Sequence, residues 1–277
     1  MSSPTSQPPM STSFILSYPA PHILLVTINR PKSMNCIPTY AHWEAESIFT
    51  WFDAETSLRV AIITGAGSKA FCAGQDLIEQ ASFQARPPPI FARGHPPSGF
   101  AGLSRRAGKK PVVAAANGFA LGGGFEICLN CDMVVASPTA SFGLPEAGVG
   151  IYAAAGGLPR LVRNVGLPIA SEIALTGRRL TAQEALDFHL VNRVSKTPES
   201  VVDEAVELAL KVAGLSPDSV VVTRHGLREA WETGSVERAT QRTSERFDRQ
   251  LFEGENMKIG IRAFAMKKEP EWLPSKI

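Results

Sequence analysis

The sequence predicts an α/β fold in layers, closed by an all-helical region, on three observations. In the first two-thirds, short apolar runs rich in β-branched residues alternate with longer segments of helical period. Several of these runs lead straight into glycines, most visibly in "NGFALGGGFEICLNCD" (117–132). After about residue 198 only helical patterns remain.

The elements follow in order. The opening "MSSPTSQPPMSTS" is polar, proline-rich and uncharged, without the basic start or apolar core of a signal peptide, so 1–13 is expected to be a flexible tail. "HILLVTINRP" (22–31) is a buried strand ended by a turn, and Pro38 opens the helix "PTYAHWEAESIFTWFDAE". "LRVAIITGAG" (58–67) is a second strand ending in glycines. "ARPPPIFARGHPPSG" (85–99) is too proline-rich for core structure and is expected to be a loop over a site. "KKPVVAAANG" (109–118) is a third strand, followed by the glycines and a helix, and "DMVVAS" (132–137) is a fourth. Helical runs such as "SVVDEAVELALKVAG" (200–214) fill the remainder.

Bulk properties exclude several classes of function. The 277 residues are 44% hydrophobic and 19% charged, enough for one large core or two small ones. A net charge of +2, from 28 basic and 26 acidic side chains, gives no reason to expect nucleic acid or an anionic membrane as partner. There is no apolar run of about 18 residues to span a membrane. Cys36, Cys72, Cys128 and Cys131 are too irregular for a disulfide framework, which suggests a reducing compartment. Ser275-Lys276-Ile277 departs conservatively from the Ser-Lys-Leu peroxisomal address, so a peroxisomal location is expected.

Four motifs invite chemistry. "TGAGSKA" (64–70) fits a dinucleotide fingerprint in its small residues, but no helix and distal acid follow, so it is a turn after a strand. Cys128 and Cys131 form a C-x-x-C inside an apolar helix with no second pair, and are read as buried free thiols. "RRAGKK" (105–110) is read as a solvated helix end. The glycine triplet is the strongest signal. A strand, glycines and a helix place free amides at a helix N-terminus, where a carbonyl oxygen can approach and gain negative charge. Glu126 lies in the first turn beyond, and Glu146 in "ASFGLPEAGVG" (140–150) is a second carboxylate in a small, apolar setting, so the pair are candidates for acid–base work.

Taken together, these segments resemble the enoyl-CoA hydratase/isomerase (crotonase) family. "AFCAGQDL" (70–77) is similar to its first oxyanion-hole segment, "NGFALGGGFEICLNCDMVVAS" (117–137) to its second, and "FGLPEAGVGIYAAAGGLPRLV" (142–162) to its second catalytic segment. "SEIALTGRRLTAQEALDFHLVNRV" (171–194) and "GIRAFAMKKEPEW" (260–272) carry the likeness towards the C-terminus. The resemblance implies a crotonase-like spiral of repeated ββα units over 14–197 and a C-terminal helical region over 198–277 that assembles homotrimers or dimers of trimers. It implies an oxyanion hole from the backbone N–H groups of Gln75 and Gly123, catalytic Glu126 and Glu146, and contacts to the CoA part of the substrate from Lys32, Met34, Ala73, Asp76, Leu77, Phe264 and Lys267. No metal and no separate cofactor are required, since coenzyme A is part of the substrate.

The implied activity is hydration of a 2-enoyl-CoA thioester to a 3-hydroxyacyl-CoA. Enolate charge would collect on the thioester oxygen while Glu126 activates water and Glu146 delivers a proton to C2. The alternatives are a double-bond isomerase using Glu146 alone, another acyl-CoA reaction through the same oxyanion hole, and a non-catalytic acyl-CoA binder. Four departures from the family pattern point to an acyl group other than a plain straight chain: Gln75 where alanine is frequent, Ile78 where a basic residue is frequent, "IYAAAGG" in place of a proline-containing segment, and a longer proline-rich loop around 86–97.

Overall fold

The computed structural model describes residues 4–85 and 94–277. Strands β1 (Phe14–Ser17) and β2 (Ile23–Ile28) form an antiparallel pair, and helix α1 (Thr39–Ala54) follows. Three units then repeat one order, a strand, a shorter strand and a helix. They are β3 (Val60–Gly65), β4 (Ala70–Cys72) and α2 (Leu77–Ala85); β5 (Val112–Ala116), β6 (Phe119–Leu121) and α3 (Gly123–Asn130); and β7 (Met133–Ala136), β8 (Ser141–Gly143) and α4 (Gly157–Thr176). Short β9 (Leu180–Thr181), α5 (Ala182–Asp187) and β10 (Arg193–Val194) close the spiral. Helices α6 (Val201–Ala213), α7 (Pro217–Thr233), α8 (Val236–Phe252) and α9 (Glu255–Met266) complete the chain.

The first strand of each unit enters a six-stranded sheet of order β1-β2-β3-β5-β7-β10, and the second enters a four-stranded sheet of order β4-β6-β8-β9. The long strands pair in parallel and are covered on both faces, which explains their continuous apolar sequences. Alternate residues serve two cores. Ala61, Ile63 and Ala114 face the main one, whereas Val60, Ile62, Val113 and Ala115 face α6 through Val201, Ala205 and Ala209. Helix α6 is therefore a layer of the sheet, so the all-helical region is divided in space: α6 covers the spiral and α7–α9 follow it.

Two expectations from sequence are corrected. The N-terminal segment is held rather than free: Thr5 and Ser6 donate to the buried Glu55, and Ser11, Thr12 and Ser13 donate to Glu44. Burial opposes the charge of Glu55, but these hydroxyls and amides, with Ser57, hold its carboxyl below the usual range. The basic cluster 105–110 is also not a solvated helix end. Arg106 is 4% exposed and pairs with Asp53 at 2.5 Å. Lys110 is buried with its Nζ donating to the carbonyls of Phe52 and Glu55, and burial pulls its pKa down to about 8. A run of charges looks solvated in sequence, and Arg105 and Lys109 are exposed, but Arg106 is buried against Asp53 and Lys110 caps carbonyls at the end of α1. At the far end of the chain, Ser275 Oγ and Lys276 N–H donate to Asp218 on α7 at 2.5 and 3.1 Å.

The turn after α3 is locked from outside the spiral. Asp132 accepts from Val112 N–H and pairs at 3.0 Å with both Arg224 and Arg228 of α7. Burial works against its charge, and the two guanidinium groups keep its carboxyl below the ordinary range. Arg228 also bonds Asn130, the last residue of α3. Asp132→Ala would strand the buried Arg224 without its counter-charge and is expected to lower stability by about 3–5 kcal/mol in urea unfolding. A loss below about 1 kcal/mol would show that the network does not hold α3 in place.

Candidate active site

Two backbone segments meet at the mouth of the repeats. Gly74, at φ +98, lies so close to the second segment that an added Cβ would sit 3.1 Å from Leu121 O and 3.6 Å from Gly123 N. Parallel pairing of β4 with β6 brings these segments together. Ile37 N donates to Gly74 O and Asp76 N donates to Ile37 O, a pattern that leaves the intervening Gln75 amide out of the bridge. Gly123 is the first residue of α3, where an amide has no intrahelical acceptor. Neither amide donates to another described residue, and both Gln75 and Gly123 line one cavity of about 510 Å³.

The three glycines of 122–124 serve three different close approaches. Gly122 has φ +54, and a Cβ there would meet Glu146 Oε1 at 3.0 Å. A Cβ on Gly123 would stand 2.6 Å from the Phe100 ring, and one on Gly124 would stand 2.0 Å from Cys72 O. The sequence reading that the glycines clear space for a ligand oxygen thus needs correction: two of them admit the protein's own ring and backbone.

Both carboxylates reach the same cavity. Glu126 is 3% exposed, and its Oε1 accepts from Gly157 N–H at 2.8 Å. Arg160 supports that contact by bonding Gly156 O and Asn130 Oδ1, each at 2.9 Å. Burial pushes the Glu126 carboxyl up to about 7, with Glu146 adding to the rise and the Gly157 and Ala155 amides opposing it. Burial also raises Glu146, which sits in a helical turn at Glu146–Val149 with Oε2 buried and lacking a partner among the described residues. Two free amides and two proton-avid carboxyls around one cavity can bind a carbonyl oxygen and exchange protons with water beside it.

Of the other residues singled out from sequence, Ala73 and Leu77 line the cavity. Asp76 does not: it pairs with Arg30 at 2.9 Å and accepts from Glu79 N–H at the start of α2. Met34 accepts from Ala73 N–H, which ties the segment carrying the exposed Lys32 to the Ala73–Leu77 stretch. Phe264, 87% exposed, and Lys267 lie on and just past α9 and line no part of this cavity within the single chain. Most of the expected proline-rich loop, 86–93, lies outside the described residues. The Cys128 and Cys131 thiols are free, with burial raising both. The turn at Gly65 leads to β4 and not to a helix, consistent with the rejection of a dinucleotide fingerprint.

Sequence reasoning missed an aromatic group behind Gln75. His42 and Phe100 are buried, and with His95 they form edge-on contacts at centroid distances of 4.5, 4.6 and 5.6 Å. The signal was present: His42 interrupts the apolar stripe Ala41, Ala45, Ile48, Phe49 and Phe52 of α1.

The Glu126 carboxyl should also mark the pH dependence of stability. Its folded value exceeds the ordinary 4.5, so the folded state retains a proton that the unfolded state releases between that pH and about 7. Stability from this group is complete below the lower value and is lost as pH rises through the upper one. Glu126→Gln, which retains an oxygen for Gly157 N–H, is expected to unfold with about 2–3 kcal/mol more free energy than the parent at alkaline pH. The two proteins should converge at mildly acidic pH, and equal differences at both would refute the shift.

The comparisons with known proteins agree with this geometry. Residues 20–274 match the family model described as enoyl-CoA hydratase/isomerase. A mevalonyl-coenzyme A hydratase of Beauveria bassiana is 48% identical, with 99% of each chain covered, and one of Aspergillus fumigatus is 46% identical at the same coverage. A carnitinyl-CoA dehydratase of Escherichia coli K12 is 40% identical over 90% of this chain and 94% of its own. The crystal structure of an enoyl-CoA hydratase from Mycobacterium tuberculosis superposes with a TM-score of 0.84 at 32% identity, covering 96% of this chain and all of the other. The chain belongs to the enoyl-CoA hydratase/isomerase family, enzymes that act on acyl-CoA thioesters.

Proposed function

We propose that this protein interconverts a 3-hydroxyacyl-CoA and the corresponding 2-enoyl-CoA by moving water across C2 and C3. The observation that carries this reading is the convergence on a single cavity of two amides unpaired among the described residues and two carboxyls of raised pKa. In the hydration direction the thioester oxygen accepts from Gln75 and Gly123 N–H. These donors strengthen as the oxygen takes on enolate charge, and losing one donor of this kind typically costs ~3–4 kcal/mol. Glu126, as the carboxylate, removes a proton from water as its oxygen attacks C3. Glu146, in its acid form, delivers a proton to C2. Burial and mutual repulsion favour the singly protonated pair that this division requires. Dehydration runs the same steps in reverse.

The names of two relatives support a narrower reading of the acyl group. Two that are 46–48% identical along nearly the whole chain carry the name mevalonyl-coenzyme A hydratase. A mevalonyl group bears hydroxyls at C3 and at its far end, and we infer that this protein handles an acyl group of that kind. Trimer assembly is a further part of the proposal. Leu215 and Leu227 stand 56% and 70% exposed beside Trp231 along the groove at α7, an apolar face suited to a second copy.

Either Glu126→Gln or Glu146→Gln is expected to lower kcat for hydration by roughly 10²–10⁴-fold, followed as loss of the conjugated-thioester absorbance. Near-normal hydration by either variant would overturn the two-carboxylate reading. Surviving double-bond migration in Glu126→Gln alone would favour isomerisation through Glu146. For hydration, kcat/KM should be bell-shaped in pH, its two limbs belonging to the successive proton losses of the coupled Glu126–Glu146 pair. A flat profile would exclude both groups as proton carriers.

A further inference from the structure

The side chain of Gln75 has no part in the chemistry proposed above, since the charge-stabilising donor there is its backbone amide. A smaller residue would supply the same N–H. The side chain is nevertheless held from behind. His42 is fully buried, its Nδ1 accepts the Ala101 backbone N–H at 3.0 Å, and its Nε2 lies 2.8 Å from Gln75 Oε1. A backbone amide can only donate, so the neutral ring carries its proton on Nε2 and gives it to the glutamine oxygen. Burial draws the imidazole pKa down to about 3, so this tautomer persists through the physiological range.

The fixed tautomer in turn fixes the glutamine. With Oε1 turned back to His42, the carboxamide NH₂ is presented on the other side. Gln75 is half-buried and lines the cavity. Its Nε2 has no partner among the described residues and is not one of their sealed, unsatisfied polar atoms, and the residue that carries it lines the cavity. Around it the lining is mainly apolar or small, with Leu77, Phe100 and Ala154 as neighbours in the wall. A plain alkyl chain filling this space would strip water from the NH₂ and give nothing back. An acyl oxygen would satisfy it.

We propose that the Gln75 carboxamide, aimed by His42, donates a hydrogen bond to a hydroxyl oxygen on the acyl chain beyond C3 and thereby selects hydroxylated acyl groups over alkyl ones. The proposal rests on the acyl-thioester reading of the cavity and adds a specificity-determining side chain to it. His42 is the positioning residue: it touches no substrate and acts only through the glutamine. The two carboxylates attend to C2 and C3, so a third polar contact serves an oxygen further along the chain.

Calorimetric binding of two saturated five-carbon acyl-CoA thioesters, one ending in a hydroxyl and one in a methyl, tests this without turnover. The parent protein is expected to prefer the hydroxyl-ended thioester by about 10–100-fold, the effect of pairing or orphaning one buried donor. Gln75→Met, which keeps the side-chain length, and Gln75→Ala should each bring the ratio to within about 3-fold of unity. His42→Phe should lower the same ratio by freeing the carboxamide to rotate. Equal binding of the two thioesters by the parent, or an undiminished preference in the Gln75 variants, overturns the proposal, and an undiminished ratio in His42→Phe overturns the positioning role. Hydration of an enoyl-CoA by the parent is measured separately. A preference retained without any turnover would defeat the hydratase reading and leave this one standing.

Discussion

The near contact of two backbones, Gly74–Gln75 against Gly122–Gly123, is the constraint on which the rest of the molecule depends. Each segment ends a short strand of the four-stranded sheet, so the spiral repeat itself delivers them to one place. Side chains would hold them apart: a Cβ on Gly74 would meet Leu121 O at 3.1 Å, and one on Gly124 would overlap Cys72 O. With no Cβ in the way, two amides that lack partners among the described residues come to line one cavity. The same approach sets the first turn of α3, and with it the position of Glu126.

A site of this kind gathers groups that folding would otherwise satisfy. Glu126 is buried with its pKa near 7, and among the described residues Glu146 has an oxygen without a partner and two amides are left open. Each of these opposes stability. The surrounding structure supplies the restraint. Asn130 and Asp132 tie the end of α3 to Arg160, Arg224 and Arg228, and Arg160 also fixes the loop whose Gly157 amide holds Glu126. Charged residues far from the cavity in sequence therefore decide the geometry within it. Such concentration of locally unfavourable choices, offset nearby, is the pattern expected where a fold carries chemistry.

Much of this was legible before any coordinates. The strands at 23–28, 60–65, 112–116 and 133–136 fall within the apolar runs, because a strand covered on both faces must be continuously apolar. The short strands of the second sheet, three residues or fewer, were not legible, since so few residues cannot display a period. The "RRAGKK" stretch misled for a related reason. Charge in sequence implies water, yet Arg106 and Lys110 are buried against Asp53 and the last carbonyls of α1. The polar tail misled likewise, because Glu44 and Glu55 gather its hydroxyls and amides from about 30 to 50 residues away.

The sequence by itself determined the family, the alternation of strand and helix, and the pair Glu126 and Glu146. Those features rest on local spacing and residue type, which the chain carries wherever it goes. Only the tertiary structure decided that the triplet's glycines admit Phe100 and Cys72, that Asp76 serves Arg30, and that His42 orients Gln75. Each of these is a contact between residues some 20 to 60 positions apart, and its meaning lies in a distance and a direction that no order of residues encodes.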